Sequence, residues 1–257
     1  MQSSSPRAQR FFTKYASGYS NNPDFSRGPD LAALLDELKP GRTEEALDVA
    51  TGTGFTALAL APFVKSVVGI DITEGMLQEA RRIADERGSK NVTFELGDAQ
   101  KLAYPNSSFD IVTTRRAAHH FDDVPAFLRG ARRVIRLEGR LGVVDMSPPP
   151  GAADFTNRIE KLRDASHIRA FDQNEWGQML NEAGFEISSE RIMEESVSLG
   201  DWLYPVRGGG DEEDLVRRAW KAVPAKVSGL LKADIIDGVI RGWTKRRIVI
   251  VASPETP

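Results

Sequence analysis

Apolar positions along this chain keep two rhythms. Short runs rich in Val and Ile occupy residues 45 to 50, 66 to 71, 91 to 96, 109 to 114 and 140 to 146. Between them, Leu31, Leu34, Leu35 and Leu38 recur at i, i+3, i+4 and i+7, as do Val124, Phe127, Leu128 and Ala131, each set making one apolar helix face. Strand runs alternating with one-sided helices read as βαβ units around a parallel sheet. Local signals mark helix ends. Thr73 is placed to cap a helix carrying Met76, Leu77, Ala80, Ile83 and Ala84 inward, with Gly88 just past its end. Asp172 and Glu175 make a capping-box pattern before Trp176, Met179, Leu180 and Ala183, closed by Gly184.

After residue 146 the rhythm changes. A proline run at 148 to 150 leads to a helix near 154 to 168, then the capped helix, then strands near 185 to 195 and 246 to 252. Between those strands a helical insertion at about 198 to 244 carries Trp202, Tyr204, Trp220 and Trp243 and is expected to roof the site. The length suits one domain over 1 to 257: leading helices to about 40, a ligand-binding half at 41 to 146 and a second half at 147 to 257.

Composition narrows the chemistry. Lys plus Arg is 34 against 37 for Asp plus Glu, a net charge of -3, which argues against affinity that rests on neutralising nucleic-acid phosphates. With no cysteine there is no disulfide, zinc-thiolate site, iron-sulfur cluster or cysteine nucleophile. The amino-terminal residues lack a signal-like apolar stretch, and no window approaches the roughly 18 apolar residues of a membrane span. A cytoplasmic protein without a membrane span is expected.

Ligands of parallel α/β sheets bind beyond the carboxyl ends of the strands, where strand order reverses. The turn after the first strand, Asp48-Val-Ala-Thr-Gly-Thr-Gly54, fits that place. Gly52 and Gly54 let the main chain approach a ligand, and the following helix points its free N–H groups at it. Gly52 to Ala57 also matches the dinucleotide pattern, so an NAD(P)-dependent oxidoreductase is a serious alternative. Asp71, ending the second strand, can accept both hydroxyls of a ribose in either cofactor, with Ile72 against the purine. Asp98, ending the third, can accept from an adenine amino group. Asp48 discriminates: a carboxylate beside the glycine turn repels a pyrophosphate and favours a cationic amino acid or sulfonium.

Asp48 to Gly54, Gly69-Ile-Asp-Ile-Thr-Glu-Gly-Met-Leu-Gln-Glu-Ala-Arg81, Gly97-Asp-Ala-Gln100 and Phe109-Asp-Ile-Val112 resemble the successive motifs of class I S-adenosylmethionine-dependent methyltransferases. The likeness is to the ubiquinone/menaquinone-biosynthesis-like branch acting on small molecules. Ala118-His-His-Phe121, Phe127-Leu-Arg and Arg133-Val-Ile-Arg extend it, over about residues 10 to 146. The resemblance implies a Rossmann-like, seven-stranded, mostly parallel sheet with an antiparallel last strand and helices on both faces. It implies S-adenosylmethionine as cofactor and S-adenosylhomocysteine as product. Asp48, Ala50, Thr51, Gly52 and Gly54 would surround the methionine part, and Asp71 would hold the ribose. Ile72 and Met76 would pack on the purine, Asp98 and Ala99 would meet its edge, and Arg115 would present backbone to the amino-acid end. Ala50 stands where many members carry the motif's first glycine, which this branch tolerates. Tyr15 or Tyr19 would close a lid.

Several residues carry two readings. His119 and His120 are two of three histidines, and neighbours in sequence on a helix or strand face apart, which disfavours a shared metal site. Either is a candidate general base for an acceptor hydroxyl, and a base is optional because in-line methyl transfer depends chiefly on alignment. Arg115 and Arg116 read as anion attraction or as solvated charge; Arg132, Arg133 and Arg136 read as surface charge; the insertion's tryptophans read as roof or as core. Thr113-Thr-Arg-Arg-Ala117 lacks the Asn/Asp-Pro-Pro-aromatic motif of nucleobase-amine methyltransferases, so a small-molecule acceptor is preferred over nucleic acid. A cofactor-binding module without catalysis remains the alternative from another class.

Overall fold

All five apolar runs become neighbouring parallel strands in the computed structural model, which describes residues 9, 10, 12, 13, 23 to 203 and 211 to 255. They are β1 (Glu45–Val49), β2 (Ser66–Asp71), β3 (Val92–Leu96), β4 (Phe109–Arg115) and β5 (Ile135–Met146). With β6 (Phe185–Ser198) and β8 (Val239–Pro254) the order is β3-β2-β1-β4-β5-β8-β6. β8 runs antiparallel to both β5 and β6. Strand order reverses between β1 and β4, so the loops after these strands flank the crevice where such sheets bind ligands.

Helices cover both faces. On one, α2 (Pro29–Leu38), α3 (Phe55–Leu60) and α4 (Glu74–Arg87) bury Leu34, Leu38, Leu58 and Leu77 against Ala46, Val67, Ile111 and Val249. On the other, α5 (Val124–Val134) and α7 (Gln173–Glu182) bury Phe127, Leu128, Trp176 and Leu180 against Leu47, Val112, Leu141 and Ile248. Burial on both faces is why the strands read as continuous apolar runs instead of alternating ones. α1 (Pro23–Arg27) precedes α2, and the capping box of Asp172 and Glu175 is formed at the start of α7. Thr73 is the N-cap of α4, but its hydroxyl makes no capping bond there; the Asp71 carboxylate accepts from the Thr73 N–H instead, at 2.9 Å.

Beyond β5, α6 (Ala153–Arg163), α8 (Leu199–Leu203), α9 (Asp211–Lys221) and α10 (Ala225–Leu230) build a separate cluster. Its centre is aromatic: Trp243 lies 5.0 Å from both Trp202 and Trp220, and Phe155 is 4.8 Å from Trp220. These side chains are therefore mainly core. Tyr204 and Gly208 to Gly210 lie outside the described residues.

The sheet has an eighth, short strand, which lies within the 198 to 244 insertion read as helical. β7 (Asp234–Ile236) pairs with the start of β8 through a two-residue turn, Asp237-Gly238, with φ of 51° and 72°. Two consecutive left-handed residues match the twist of a tight hairpin. Arg132, Arg133 and Arg136 are also more than surface charge. Arg132 donates to the Gly184 carbonyl, Arg133 to the carbonyls of Leu102 and Tyr104, and Arg136 bridges Glu45 and Asp110. Among the described residues no helix is long and apolar enough to cross a membrane.

The turn after β1 is shaped by close packing. Gly54 has φ of 81°, and a Cβ there would stand 2.8 Å from the Phe94 ring and 3.0 Å from Ala80. Gly69 meets the same ring at 2.8 Å, so Phe94 fills a slot that only two glycines leave open. Ala50 holds φ of 55°, where an L side chain is strained. Opposite effects should follow within one turn. Gly54→Ala is expected to lose about 2 kcal/mol, lowering Tm by roughly 4–8 °C, whereas Ala50→Gly should gain up to about 1 kcal/mol. Urea and thermal unfolding of the two variants check the signs.

Candidate active site

Asp48 ends β1 in full burial, 1% exposed. Its Oδ2 accepts from the Thr51 hydroxyl at 2.6 Å and its Oδ1 from the Thr113 hydroxyl at 2.7 Å, joining the turn to β4. Burial pushes its carboxyl up to about 6, against the lowering effect of those two bonds. Asp71, ending β2, accepts from the Gly52 N–H at 2.9 Å through the oxygen not used by Thr73. Burial raises this carboxyl too. The Thr51 N–H donates to the Ile70 carbonyl at 2.8 Å. The glycine turn is thus fastened to three strands.

Above it lies a cleft whose empty space, open solvent included, is about 920 Å³. Of the residues singled out by sequence, Ala50, Thr51, Gly52, Asp71, Ile72, Met76, Ala99, Arg115 and His120 line this cleft. Gly52, with φ of 54°, has nothing within 4 Å of where a Cβ would stand, so its face is open to a ligand. Asp48, Gly54 and Asp98 do not line it. Asp48 is screened by its two threonines, Gly54 makes room for Phe94, and Asp98 accepts from the Gln100 N–H at 2.9 Å, pinning the turn whose Gly97 and Ala99 reach the wall. Tyr15 and Tyr19 fall outside the described residues.

Arg115 and Arg116 are not solvated. Both guanidiniums converge on Asp30 of α2: Arg115 donates Nε and Nη2 at 3.0 and 2.9 Å, Arg116 at 2.7 and 2.8 Å. Burial alone would raise the Asp30 carboxyl, but the two guanidiniums hold it well below the usual carboxylate range. Arg115 Nη1 also donates to the Phe25 carbonyl, and the Arg116 guanidinium lies over the Phe25 ring. The cation pair at the end of β4 therefore anchors α1 and α2 beside the cleft.

A second cleft, of about 1000 Å³, opens beside the first, and Phe12, Phe25, Arg116 and His120 line both. Its wall is ionic. Glu160 of α6, buried behind it, pairs with Arg163 at 3.0 Å and Lys245 at 3.3 Å and accepts from the Trp202 indole N–H at 3.1 Å. Burial would raise the Glu160 carboxyl, but these cations hold it well below its usual range; burial presses Lys245 down to about 8. Arg247 pairs with Glu195 on the same wall.

Neighbours in sequence do not face apart here. A 3₁₀ turn, Ala118–His120, brings the His119 and His120 rings to 4.1 Å, with His167 5.5 Å from His119. His119 Nδ1 lies 2.5 Å from Asp145 Oδ1, and Asp145 Oδ2 accepts from the His119 N–H at 2.9 Å. Among the described residues no group of three or more His, Cys, Asp or Glu is placed to hold a metal ion. Sequence reasoning passed over Asp145, Asp30, Glu160 and Lys245. Asp145 carried a readable sign, an acid near the carboxyl end of an apolar strand, as Asp48 is.

Residues 41–184 match the model of a family described as "Methyltransferase domain". The chain is 38% identical over 172 residues to the uncharacterized methyltransferase YcgJ of Bacillus subtilis (strain 168), covering 66% of this chain and 68% of that protein. It is 32% identical over 206 residues to the ubiquinone/menaquinone biosynthesis C-methyltransferase UbiE of Dinoroseobacter shibae, covering 69% of this chain and 82% of that one. The crystal structure of a protein from Bacillus halodurans C-125 superposes with a TM-score of 0.85 at 35% identity, over 89% of this chain and all of that one.

Asp48 gives a pH signature. Its carboxyl rises from 3.8 to about 6 on folding, so its contribution to stability is fully present below about pH 4 and is lost as pH climbs through about 6. Asp48→Asn cannot ionise. Its stability relative to the parent should therefore rise between pH 4.5 and 7.5, by on the order of 2 kcal/mol, in urea titrations at the two values. Asp30→Asn should cost about 3–5 kcal/mol at neutral pH by stranding two buried guanidiniums.

Proposed function

The chain belongs to the S-adenosylmethionine-dependent methyltransferases, and from that membership we propose that it methylates a small-molecule acceptor seated in the second cleft. The observation that carries this reading is the junction of the two clefts around Phe12, Phe25, Arg116 and His120, a shared wall across which a methyl group can pass. The residues of the first cleft fit the cofactor. Gly52 leaves space without a side chain, and each Asp71 oxygen, engaged by one backbone N–H, retains a lone pair for a ribose hydroxyl. When bound, S-adenosylmethionine supplies the electrophilic methyl group.

Asp71 takes the ribose in this reading, Ile72 and Met76 the purine, and Ala99, on the turn pinned by Asp98, its edge. Ala50, Thr51 and Gly52 surround the methionine part, with the Arg115 backbone at its amino-acid end. Asp48 acts from behind, by shaping the turn. Tyr19, as a lid residue, completes the proposal from the sequence alone. The similarity to a ubiquinone/menaquinone biosynthesis C-methyltransferase supports a small organic acceptor. So does the net charge of -3, which is poorly suited to a nucleic-acid partner. A one-domain cytoplasmic enzyme accords with the composition. The NAD(P)-linked oxidoreductase allowed by the glycine pattern, and the module without catalysis, lose their ground with the family.

Isothermal titration should find S-adenosylmethionine and S-adenosylhomocysteine binding in the micromolar range, with no comparable heat from NAD. Asp71→Ala should weaken binding by about 100-fold or more, as expected for two charge-assisted bonds. Unchanged affinity in a folded Asp71→Ala or Asp71→Asn protein would remove the ribose assignment.

A further inference from the structure

We infer that His119, held by Asp145, is the proton acceptor of the second cleft, and that the acceptor therefore presents an ionisable hydroxyl. The inference rests on the methyl-transfer reading above and narrows it to oxygen.

Geometry separates His119 from the other two histidines. Asp145, at the end of β5 and 1% exposed, grips it twice: Oδ1 faces the ring Nδ1 and Oδ2 takes the backbone N–H. The His119 carbonyl accepts from the N–H groups of Ile168 and Arg169 at 2.9 and 3.1 Å, so the residue is fixed at both ends of its backbone. A buried carboxylate at Nδ1 fixes the tautomer with the proton on Nδ1, which makes Nε2 the basic nitrogen of a ring that lines the second cleft. The same carboxylate stabilises the imidazolium once a proton arrives. This is the orienting role that a third group plays behind a general base.

His120 and His167 lack that support. Nδ1 of His120 lies 3.1 Å from the Ser166 carbonyl, and His167 Nε2 is 2.8 Å from the amide oxygen of Asn157; neither has a carboxylate on its ring. Burial, together with the adjacent His119, drives His120 well below the ordinary histidine range and His167 down to about 4. His167 does not line either cleft. The groups around His119 are Asp145 from β5, His120 on its own turn, His167 from the loop after α6, and Asp164 and Arg163 from the end of α6 on the wall of the second cleft.

The step balances. A lone pair of the acceptor oxygen forms the new O–C bond to the methyl group as the S–C bond breaks, and that bond's electrons neutralise the sulfonium. The hydroxyl proton passes to Nε2 of His119, leaving an imidazolium on Asp145, and later leaves to solvent. A neutral amine attacks through its lone pair and a ring carbon through its π electrons, each losing its proton only afterwards, so the hydroxyl is the acceptor whose attack a base at this position accelerates.

Three histidines in the whole chain make the test tractable by imidazole nitrogen NMR on the full-length protein. One set of signals, lost in His119→Gln, should carry its proton on Nδ1, and Asp145→Asn should mix the tautomers. A His119 ring that carries its proton on Nε2 overturns the inference whatever the acceptor proves to be. The second arm measures S-adenosylhomocysteine release over phenols, aliphatic alcohols and hydroxyquinones beside amines and thiols. His119→Gln should cut kcat on hydroxyl acceptors by about 10²–10⁴-fold and erase the acid limb of the pH profile, while calorimetric affinity for S-adenosylmethionine stays unchanged. Full turnover of a hydroxyl acceptor by His119→Gln also overturns it. Loss of cofactor binding in the parent protein would instead sink the methyl-transfer reading.

Discussion

A single buried carboxylate organises the carboxyl end of the sheet. Asp48 sits where β1 gives way to the turn, and its two oxygens are divided between a hydroxyl of that turn and a hydroxyl of β4. Taking a carboxylate out of water is unfavourable, and hydrogen bonds to both oxygens offset only part of the penalty. The remainder appears as the raised Asp48 carboxyl. What the arrangement gains is definition: the turn cannot drift from β4, so the strained Ala50, the open face of Gly52 and the Phe94 slot at Gly54 follow from one anchor.

A second pattern repeats on both sides of the shared wall. A carboxylate lies in the interior and two cations converge on it: Asp30 behind Arg115 and Arg116, Glu160 behind Arg163 and Lys245. In each case the carboxylate lines neither of the two clefts, whereas its cations do. Buried ion clusters of this kind add little net stability against apolar packing but are severely destabilised when one member is lost. Here they fix long side chains in one orientation at the edge of a cleft. They also tie elements distant in sequence, α2 to the end of β4 and α6 to β8.

The sheet and the donor cleft were legible because their determinants are local. Apolar runs, strand-end acids and a glycine turn are all read within about ten residues, and Asp71, Ile72, Met76 and Ala99 stand together on one cleft wall. The packing need for Gly54 was not legible for a long-range reason: the ring that excludes a side chain there belongs to β3, forty residues away. Asp30 gave no sign, since an acid in the first turn of a helix is ordinarily a solvated, dipole-favoured residue. Its two arginine partners lie 85 and 86 residues further on. The histidine pair failed differently. The argument that neighbours diverge holds for helices and strands, and the chain places them in a 3₁₀ turn. The Asp237-Gly238 hairpin was readable from two residues and was passed over because the surrounding segment looked helical.

The tryptophan cluster over the second cleft is a core of its own, distinct from the two that sandwich the sheet. Most of it lies beyond residue 184, where the family match ends, and it meets the rest of the molecule chiefly through β8 and α6. A module with private packing can exchange its contents without disturbing the packing beneath the donor turn. Substitutions inside that cluster are thereby mechanically insulated from the turn after β1.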